Sequence, residues 1–159
     1  MKGPIMTRNS SLILLLIASI ISALAVRLLL TTIDLNGTTL LPLGIVSFNL
    51  EYTINTGINF GIAGEATSSR QFQLAGLALV VCAVVILWGV RSQAKWAPTI
   101  AGLFAGGGLA NAYERIAYGG VFDYLNVSFI FYENPYSFNL ADIYIFIGAL
   151  LYIFKPSSQ

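Results

Sequence analysis

The sequence contains no histidine and only one cysteine among its 159 residues. Without histidine, a His-ligated zinc site and a Ser-His or Cys-His nucleophile pair are excluded, because each of them needs an imidazole. The single cysteine, Cys82, leaves no second thiol in the chain for a disulfide. Since Cys82 lies in the middle of an apolar run, we interpret it as a small buried apolar residue. Any acid and base chemistry therefore depends on carboxylates.

Charge is also scarce. Asp, Glu, Lys and Arg make up 9% of the chain, the formal net charge is +1, and hydrophobic residues make up 57%. A soluble domain carries about 25% charged residues. The low net charge provides no basic surface for nucleic acid, so we expect no nucleic-acid partner. We predict an integral membrane protein that forms one domain over residues 1–159.

Four apolar segments predict transmembrane α-helices, at residues 11–30, 72–90, 97–117 and 139–154. A helix that crosses the bilayer needs roughly 20 apolar residues, and the last segment is the shortest of the four. The first segment is longer than the roughly 7–15 residues of a signal-peptide core, so we expect it to be retained as a helix. Glycines in the third segment predict close helix packing.

The connections between these segments differ in composition. Residues 34–69 alternate β-branched and aromatic residues between glycines and Pro42, which predicts a small β-sheet between the first two helices. Residues 118–138 are polar and rich in aromatic side chains, and we predict a loop there. These aromatic residues are typical of a membrane interface.

The basic residues predict the orientation in the membrane. Five of them fall at the same ends of the predicted helices: Lys2, Arg8, Arg91, Lys95 and Lys155. Because Lys and Arg accumulate in cytoplasmic segments, both termini and the loop between the second and third helices are predicted to be cytoplasmic. The sheet and the acids Asp123 and Asp142 would then lie at the extracytoplasmic face.

Asp123 and Asp142 stand beside apolar segments, where an ionisable side chain costs about 2.5–3.5 kcal/mol on insertion scales. Two carboxyl groups close together share one proton, because both cannot ionise easily. The ionised one can deprotonate a water while the other donates to a peptide carbonyl oxygen. A structural alternative stays open, in which Arg115 pairs with one of the acids in an ion network. Asn111, Glu114 and Arg115 share a helix face by their spacing.

Three motifs occur in order along the chain: INTGINFG at residues 54–61, NAYERIAYGGVFDY at residues 111–124 and FNLAD at residues 138–142. Their order and spacing resemble those of the signal peptidase II family, four-helix membrane aspartyl proteases, over nearly the whole chain. The resemblance implies a catalytic pair at Asp123 and Asp142. It also implies that seven residues line or support the site: Asn55, Gly57, Asn111, Glu114, Arg115, Asn139 and Ala141.

The chain departs from this family at four positions. The family usually has an Asp and, one helical turn later, a Lys in its first helix, where this chain has Ala23 and Arg27. It usually has Asp where this chain has Glu114, and Ala where this chain has Asn59. The departures surround the two aspartates and leave both of them in place.

The resemblance implies an inner-membrane endopeptidase that cleaves a lipid-modified preprotein before its lipidated Cys, without a metal or an organic cofactor. The substrate would arrive laterally from membrane lipid. The departures keep open a noncatalytic relative that binds a membrane protein partner or serves as a subunit of a complex. A proton-coupled transporter is less favoured, because the polar residues are confined to one side of the membrane.

Overall fold

The computed structural model describes residues 8–57 and 67–154. Its elements follow in the order α1 (Arg8–Thr32), β1 (Thr39–Pro42), β2 (Val46–Asn55), α2 (Ser68–Arg91), α3 (Ala97–Tyr118), β3 (Val121–Phe129), β4 (Ser137–Phe138) and α4 (Leu140–Phe154). Each of the four apolar segments of the sequence forms one helix. The predicted number and order of helices are therefore confirmed.

Two of the helices are long and apolar enough to cross a membrane. The stretches Asn9–Thr32 and Ser68–Arg91 have mean hydropathies of 2.7 and 2.4 over their most apolar windows. Helix α4 is apolar but has only 15 residues. Helix α3 carries Asn111, Glu114 and Arg115 in its second half, and these side chains lower its hydropathy. That α3 and α4 also cross the membrane stays a prediction.

Helix α3 is the centre of the helical part and packs against the other three helices. Its glycines permit this, because a side chain at Gly102 would meet Leu15 of α1 and one at Gly107 would meet the carbonyl of Ala141 in α4. On the side of α2, Gly108 faces the sulfur of Cys82. The close packing predicted from the glycines is confirmed.

Cys82 is buried, with 2% of its surface exposed. Its thiol lies 3.7 Å from the carbonyl oxygen of Ala105, and its pairing is with the helix backbone of α3. The interpretation of this residue as a small buried apolar side chain is confirmed, because it fills the α2–α3 interface.

The four strands form one antiparallel sheet in the order β1-β2-β3-β4. Strands β1 and β2 come from the predicted insertion at residues 34–69. The prediction of a loop over residues 118–138 is wrong, because this segment supplies β3 and β4. Strand β3 is buried at both of its faces near its start, including Asp123. Its sequence therefore lacks the alternation of polar and apolar residues by which a half-buried strand is recognised.

A β-bulge interrupts the pairing of β2 with β3. Leu50 is opposite Leu125, whereas Thr53 is opposite Asp123, so β2 has one extra residue between these pairs. Such a bulge shifts the register and exchanges the faces on which the following side chains lie. It places the end of β2, with Asn55, beside the start of β3.

The sheet packs on the helices through a small apolar cluster. Leu30 of α1, Leu50 of β2, and Phe122 and Tyr124 of β3 are all buried in it, and Leu140 at the start of α4 packs against them. Burial of such side chains stabilises a fold by about 1.5–3 kcal/mol each. Because the cluster joins β3 to the beginning of α4, it holds together the two segments that carry the aspartates.

Candidate active site

Asp123 lies on β3 and is 3% exposed. Its Oδ2 accepts a hydrogen bond of 2.9 Å from Nδ2 of Asn55, and its Oδ1 accepts one of 2.9 Å from Nδ2 of Asn139. Burial raises the pKa of Asp123 to about 6, and the nearby carboxylate of Asp142 adds to the increase. The two amide donors and the positive charge of Arg115 oppose it. The Asp123 carboxyl is therefore poised to hold a proton near neutral pH.

Asn55 ends β2, and its side chain has two functions. While Nδ2 contacts Asp123, Oδ1 accepts a hydrogen bond of 2.8 Å from the backbone N–H of Gly57. Gly57 has a φ of 78°, a backbone conformation that glycine adopts without steric cost. The turn at Gly57 thus fixes the orientation of the amide that binds Asp123. A side chain at this glycine would meet Leu74 of α2.

Asp142 lies in the first turn of α4. Its Oδ2 accepts a hydrogen bond of 3.1 Å from the backbone N–H of Asn139, and its own N–H donates to Oδ1 of Asn139 at 3.0 Å. This reciprocal arrangement is a capping box, built here from Asn and Asp. The dipole at a helix N-terminus favours a negative charge, and Asp142 lies in that field.

The amides of Asn111 and Asn139 connect the two carboxyl groups. Asn111 on α3 donates from Nδ2 to Oδ1 of Asp142 at 2.8 Å. Nδ2 of Asn139 donates both to Asp123 Oδ1 at 2.9 Å and to Asn111 Oδ1 at 3.1 Å. The side chain of Asn139 is thus in contact with both aspartates and with Asn111. Three elements, α3, β3 and α4, meet at this amide.

Ala141 supports the site through its small size. It is 3% exposed and packs with Ala23 of α1 and Ala110 of α3. Its carbonyl faces Gly107, so the backbones of α3 and α4 approach closely at the level of the aspartates. Ala23, which stands where the resemblance expects an acid, is therefore in an apolar contact. The polar contact between α1 and α4 is made next to it by Ser22 and Tyr144, whose hydroxyls are 2.8 Å apart.

Glu114 does not contact either aspartate. Its Oε2 accepts a hydrogen bond of 2.8 Å from Nη1 of Arg27 and one of 2.7 Å from the backbone N–H of Phe122. Within residues 8–57 and 67–154, the ion pair found is this one between Arg27 and Glu114. The alternative in which Arg115 forms the ion pair is therefore wrong for the described residues. Asn111 and Glu114 share a helix but bind different groups, Asn111 the Asp142 carboxyl group and Glu114 the side chain of Arg27.

Arg115 is half-buried and lines a cavity of about 280 Å³ between α2, α3 and α4. Asn111 lies beside it, and the other lining residues are mainly apolar, among them Leu74, Val81 and Ile145. The charge of Arg115 lowers the pKa of Asp123. Arg115 therefore acts electrostatically on the pair of Asp123 and Asp142, which we call the dyad. The cavity therefore has one polar end next to the aspartates and an apolar remainder along α2.

Another groove, of about 670 Å³, lies on the sheet and is lined by polar residues that include Asn49, Glu51 and Glu133. It is larger than the cavity at Arg115 but contains neither aspartate. Its two carboxylates, Glu51 and Glu133, belong to exposed residues, whereas a catalytic site brings perturbed titratable groups together in a shielded pocket. We therefore assign the candidate site to the two aspartates.

Two contacts were not predicted from the sequence. The backbone N–H of Leu140, at the start of α4, donates to the hydroxyl of Tyr124 at 3.0 Å. The second is the bond from Arg27 to Glu114, which joins residues far apart in the chain. Tyr124 follows Asp123 directly in the second motif, and that adjacency is the signal by which it could have been found. Asn59, a further departure from the family, lies outside the described residues.

The chain was compared with protein families and known proteins. A family profile described as signal peptidase (SPase) II matches residues 10–156. A protein named lipoprotein signal peptidase from Methylocella silvestris is 35% identical over 117 residues, which are 71% of this chain and 66% of that protein. One of the same name from Alteromonas mediterranea is 38% identical over 112 residues, 67% of this chain and 59% of that protein. The match thus spans less than two thirds of the length of these relatives.

The fold was compared with solved structures in the same way. A structure titled as a bacterial membrane enzyme, solved by the in meso method at 1.9 Å resolution, superposes with a TM-score of 0.72. It is 19% identical, and the superposition covers 89% of each chain. At this identity the likeness establishes a shared fold.

Proposed function

The chain belongs to the signal peptidase II family, and on this basis we propose that it is a membrane aspartyl endopeptidase that removes signal peptides from lipid-modified preproteins. The single observation that carries the proposal is that the side chain of Asn139 contacts both Asp123 and Asn111, while its backbone binds Asp142. One residue thus binds both carboxyl groups, and the Asp142 carboxylate acts electrostatically on Asp123, which supports their function as a water-activating pair.

The two carboxyl groups have different roles in the proposed reaction. Asp142, at a helix N-terminus that favours its negative charge, removes a proton from a water molecule as that water attacks the scissile carbonyl carbon. Asp123, whose pKa is raised to about 6, donates its proton to the carbonyl oxygen. When the tetrahedral intermediate collapses, the proton held by Asp142 passes to the leaving amine, and Asp123 recovers its proton from the hydroxyl.

The reaction as proposed calls for no metal or organic cofactor, because the aspartates carry all four proton transfers. The amides of Asn55 and Asn111 each position one oxygen of a carboxyl group, Oδ2 of Asp123 and Oδ1 of Asp142. Each donor restrains one carboxyl group without supplying or removing a proton, since amides do not titrate in this range. The proposed chemistry thus needs only residues of this chain and water.

We propose that all four helices cross the inner membrane, with both termini in the cytoplasm and the site at the extracytoplasmic face. Asp123 lies on β3, which follows the end of α3, and Asp142 lies in the first turn of α4. Arg91, at the end of α2, and Lys95, just before α3, lie at the opposite end of α3. The position of Arg91 and Lys95 at the end of α3 opposite the aspartates agrees with the orientation predicted by the positive-inside rule.

The cavity beside Arg115 is the proposed entrance for substrate. Its apolar wall is formed by α2 and α4, including Leu74 and Ile145, and its polar end has Asn111 next to Asp142. An apolar chain that moves in from lipid would keep its apolar part against this wall while its peptide bond reaches the carboxyl groups. Apolar pockets with a few convergent polar groups are the usual form of ligand sites.

The test is cleavage of a purified lipidated preprotein by the purified protein and by Asp123→Asn and Asp142→Asn variants. Each substitution is expected to reduce the cleavage rate by at least about 100-fold, as loss of general acid or base catalysis does. Asp34→Asn, a substitution of an exposed carboxylate, is the matched control and is expected to keep full activity. Unchanged cleavage by either dyad variant contradicts the proposal. A wild-type protein that binds the preprotein without cleaving it would instead be the noncatalytic relative.

A further inference from the structure

Two of the departures from the family are in contact with each other. Arg27 on α1 and Glu114 on α3 form an ion pair of 2.8 Å, although they lie in different helices and stand where the family usually has Lys and Asp. Their side chains are 13% and 7% exposed, so the pair is nearly enclosed by protein. A buried pair of this kind is weak evidence for stability, because desolvation offsets much of the attraction. The main effect of the ion pair is therefore on the positions of the residues that it joins.

The carboxylate of Glu114 also contacts the strand that carries Asp123. The same Oε2 atom that binds Arg27 accepts a hydrogen bond of 2.7 Å from the backbone N–H of Phe122. Phe122 directly precedes Asp123 and is buried, with its ring 5.1 Å from that of Tyr52. The backbone before the aspartate is therefore fixed by a charged acceptor, which makes one of the stronger kinds of hydrogen bond.

Arg27 is itself held in place by aromatic rings. Its guanidinium carbon lies 3.7 Å from the ring centre of Tyr118, at the end of α3, and 5.7 Å from that of Phe122. Stacking on both rings leaves the guanidinium in a defined orientation toward Glu114. The planar cation fits between α1, the end of α3 and the start of β3.

We propose that Arg27 and Glu114 form one positioning pair for Asp123. The pair holds the backbone before Asp123 through the N–H of Phe122, and the lengths of the two side chains are matched to each other in this chain. Neither residue touches the carboxyl groups of the dyad, so the pair acts through the strand. The inference rests on the proposed function, since it concerns the placement of its acid. The two departures at Arg27 and Glu114 are then one coupled change that preserves the site.

The length of Glu114 decides the contact. Replacing it by Asp withdraws the carboxylate by about one carbon–carbon bond, ~1.5 Å. Contacts of 2.7 and 2.8 Å cannot both survive such a withdrawal, because hydrogen bonds weaken strongly beyond about 3.2 Å. The start of β3 then loses its anchor, while the carboxyl groups of the dyad remain chemically unchanged.

The experiment measures kcat and KM for Glu114→Asp, Arg27→Lys and the double variant. Glu114→Asp is expected to lower kcat by about 10- to 100-fold with KM changed by less than about 3-fold, because small misplacements of a reacting group have effects of this size. The double variant is expected to lose no more than Glu114→Asp alone, since two residues that act as a unit are not additive. Glu51→Asp and Arg91→Lys, both exposed, are the matched controls.

A second measurement does not depend on cleavage. Hydrogen exchange of the Phe122 amide, followed by NMR in micelles, is expected to be slow in the wild type and at least about 10-fold faster in Glu114→Asp, as a lost hydrogen bond opens the amide to water. Glu114→Gln keeps an oxygen acceptor and is expected to retain most of the protection. If the wild type does not cleave but shows this exchange pattern, the proposed function fails and the positioning contact stands.

Two outcomes would overturn the inference. One is a folded Glu114→Asp protein with the kcat of the wild type. The other is a loss of kcat that follows the loss of folded protein in thermal unfolding, with the Phe122 amide still protected. In that case the pair would be a general structural contact without a specific effect on Asp123.

Discussion

Asp123 and Asp142 have the same side chain but are held by two different regions, the start of a strand and the first turn of a helix. Asp123 is 3% exposed, and the hydrogen bonds to its carboxyl group come from the side chains of Asn55 and Asn139. Asp142 is half-buried and receives one bond from a backbone N–H and one from Asn111. The first site is assembled from distant segments, whereas much of the second is made within four consecutive residues.

This difference separates the chemistry of the two carboxyl groups. Burial without a backbone donor raises the pKa of Asp123 to about 6, whereas the N-terminus of α4 provides Asp142 with a favourable field for negative charge. Groups of the same type can thus act as acid and base because their surroundings differ. The proposed assignment of roles is a direct consequence of the secondary structure on which each residue lies.

The largest expected effect comes from removing the residue that both regions share. Asn139→Ala deletes the side-chain bonds to Asp123, to Asn111 and to the Asp142 N–H. We expect kcat/KM to fall by about 100-fold or more, together with about 1 kcal/mol of stability from the lost helix cap. Cleavage assays and thermal unfolding measure the two effects. Asn49→Ala, an amide on the sheet away from the dyad, is the control, and equal effects of both substitutions would contradict the assignment.

A comparison of Asn55→Ala with Asn111→Ala distinguishes the region that holds Asp123 from the region that holds Asp142. Each substitution is expected to reduce kcat about 10-fold, since each removes the amide that orients one carboxyl group. Because the Asn55 bond lowers the pKa of Asp123, its loss raises that pKa further, and the acid form of Asp123 persists to higher pH. The alkaline limb of the kcat/KM profile should therefore move to higher pH in Asn55→Ala and stay in place in Asn111→Ala. The same displacement in both variants would show that the carboxyl groups do not differ as described.

A separate effect is expected in the pH dependence of stability. The folded protein raises the pKa of Asp123 from its ordinary value of 3.8 to about 6, so it binds more protons than the unfolded chain within this window. The free energy of unfolding should consequently decrease as pH rises through the window, by at most about 3 kcal/mol from this residue, since one pKa unit corresponds to about 1.4 kcal/mol. Thermal unfolding between pH 4 and pH 7 measures it against Asp123→Asn, in which the slope should be reduced. A slope that Asp123→Asn leaves unchanged would rule out this residue as its origin.

The smallest effect is expected for Tyr124→Phe, which breaks the contact between the two regions. Burial raises the pKa of Tyr124 to about 12, so its hydroxyl stays neutral while it accepts the N–H of Leu140. Removing the hydroxyl leaves that N–H without its acceptor at a buried helix start, at a cost of roughly 1 kcal/mol and a few-fold in kcat. Thermal unfolding and kinetics test it, with Tyr132→Phe as the exposed control. A loss as large as that of Asn139→Ala would make Tyr124 part of the catalytic machinery.

The sequence predicted the four helices and the segment of the first two strands but missed β3 and β4, for physical reasons. Hydrophobic runs reveal helices because every residue of a run contributes to the same signal, and all four helices were found. Strand β3 was not predicted because Asp123 and Asn126 are polar but buried, which removes the alternating pattern of polar and apolar residues. Local contacts such as the capping box between Asn139 and Asp142 follow from spacing, whereas the bonds of Asn55 and Arg27 join distant segments.

The bulge in β2 makes the length of this strand part of the site. One extra residue between Leu50 and Thr53 decides which face Asn55 occupies, since side chains alternate between the faces of a sheet. Deleting Glu51 would remove the extra residue and turn the Asn55 amide away from Asp123, although no residue in contact with the dyad is changed. A deletion at the β1–β2 turn, where Gly44 has a φ of 72°, would shift only the outer strand. Chain length is thus constrained at one end of this hairpin and free to vary at the other.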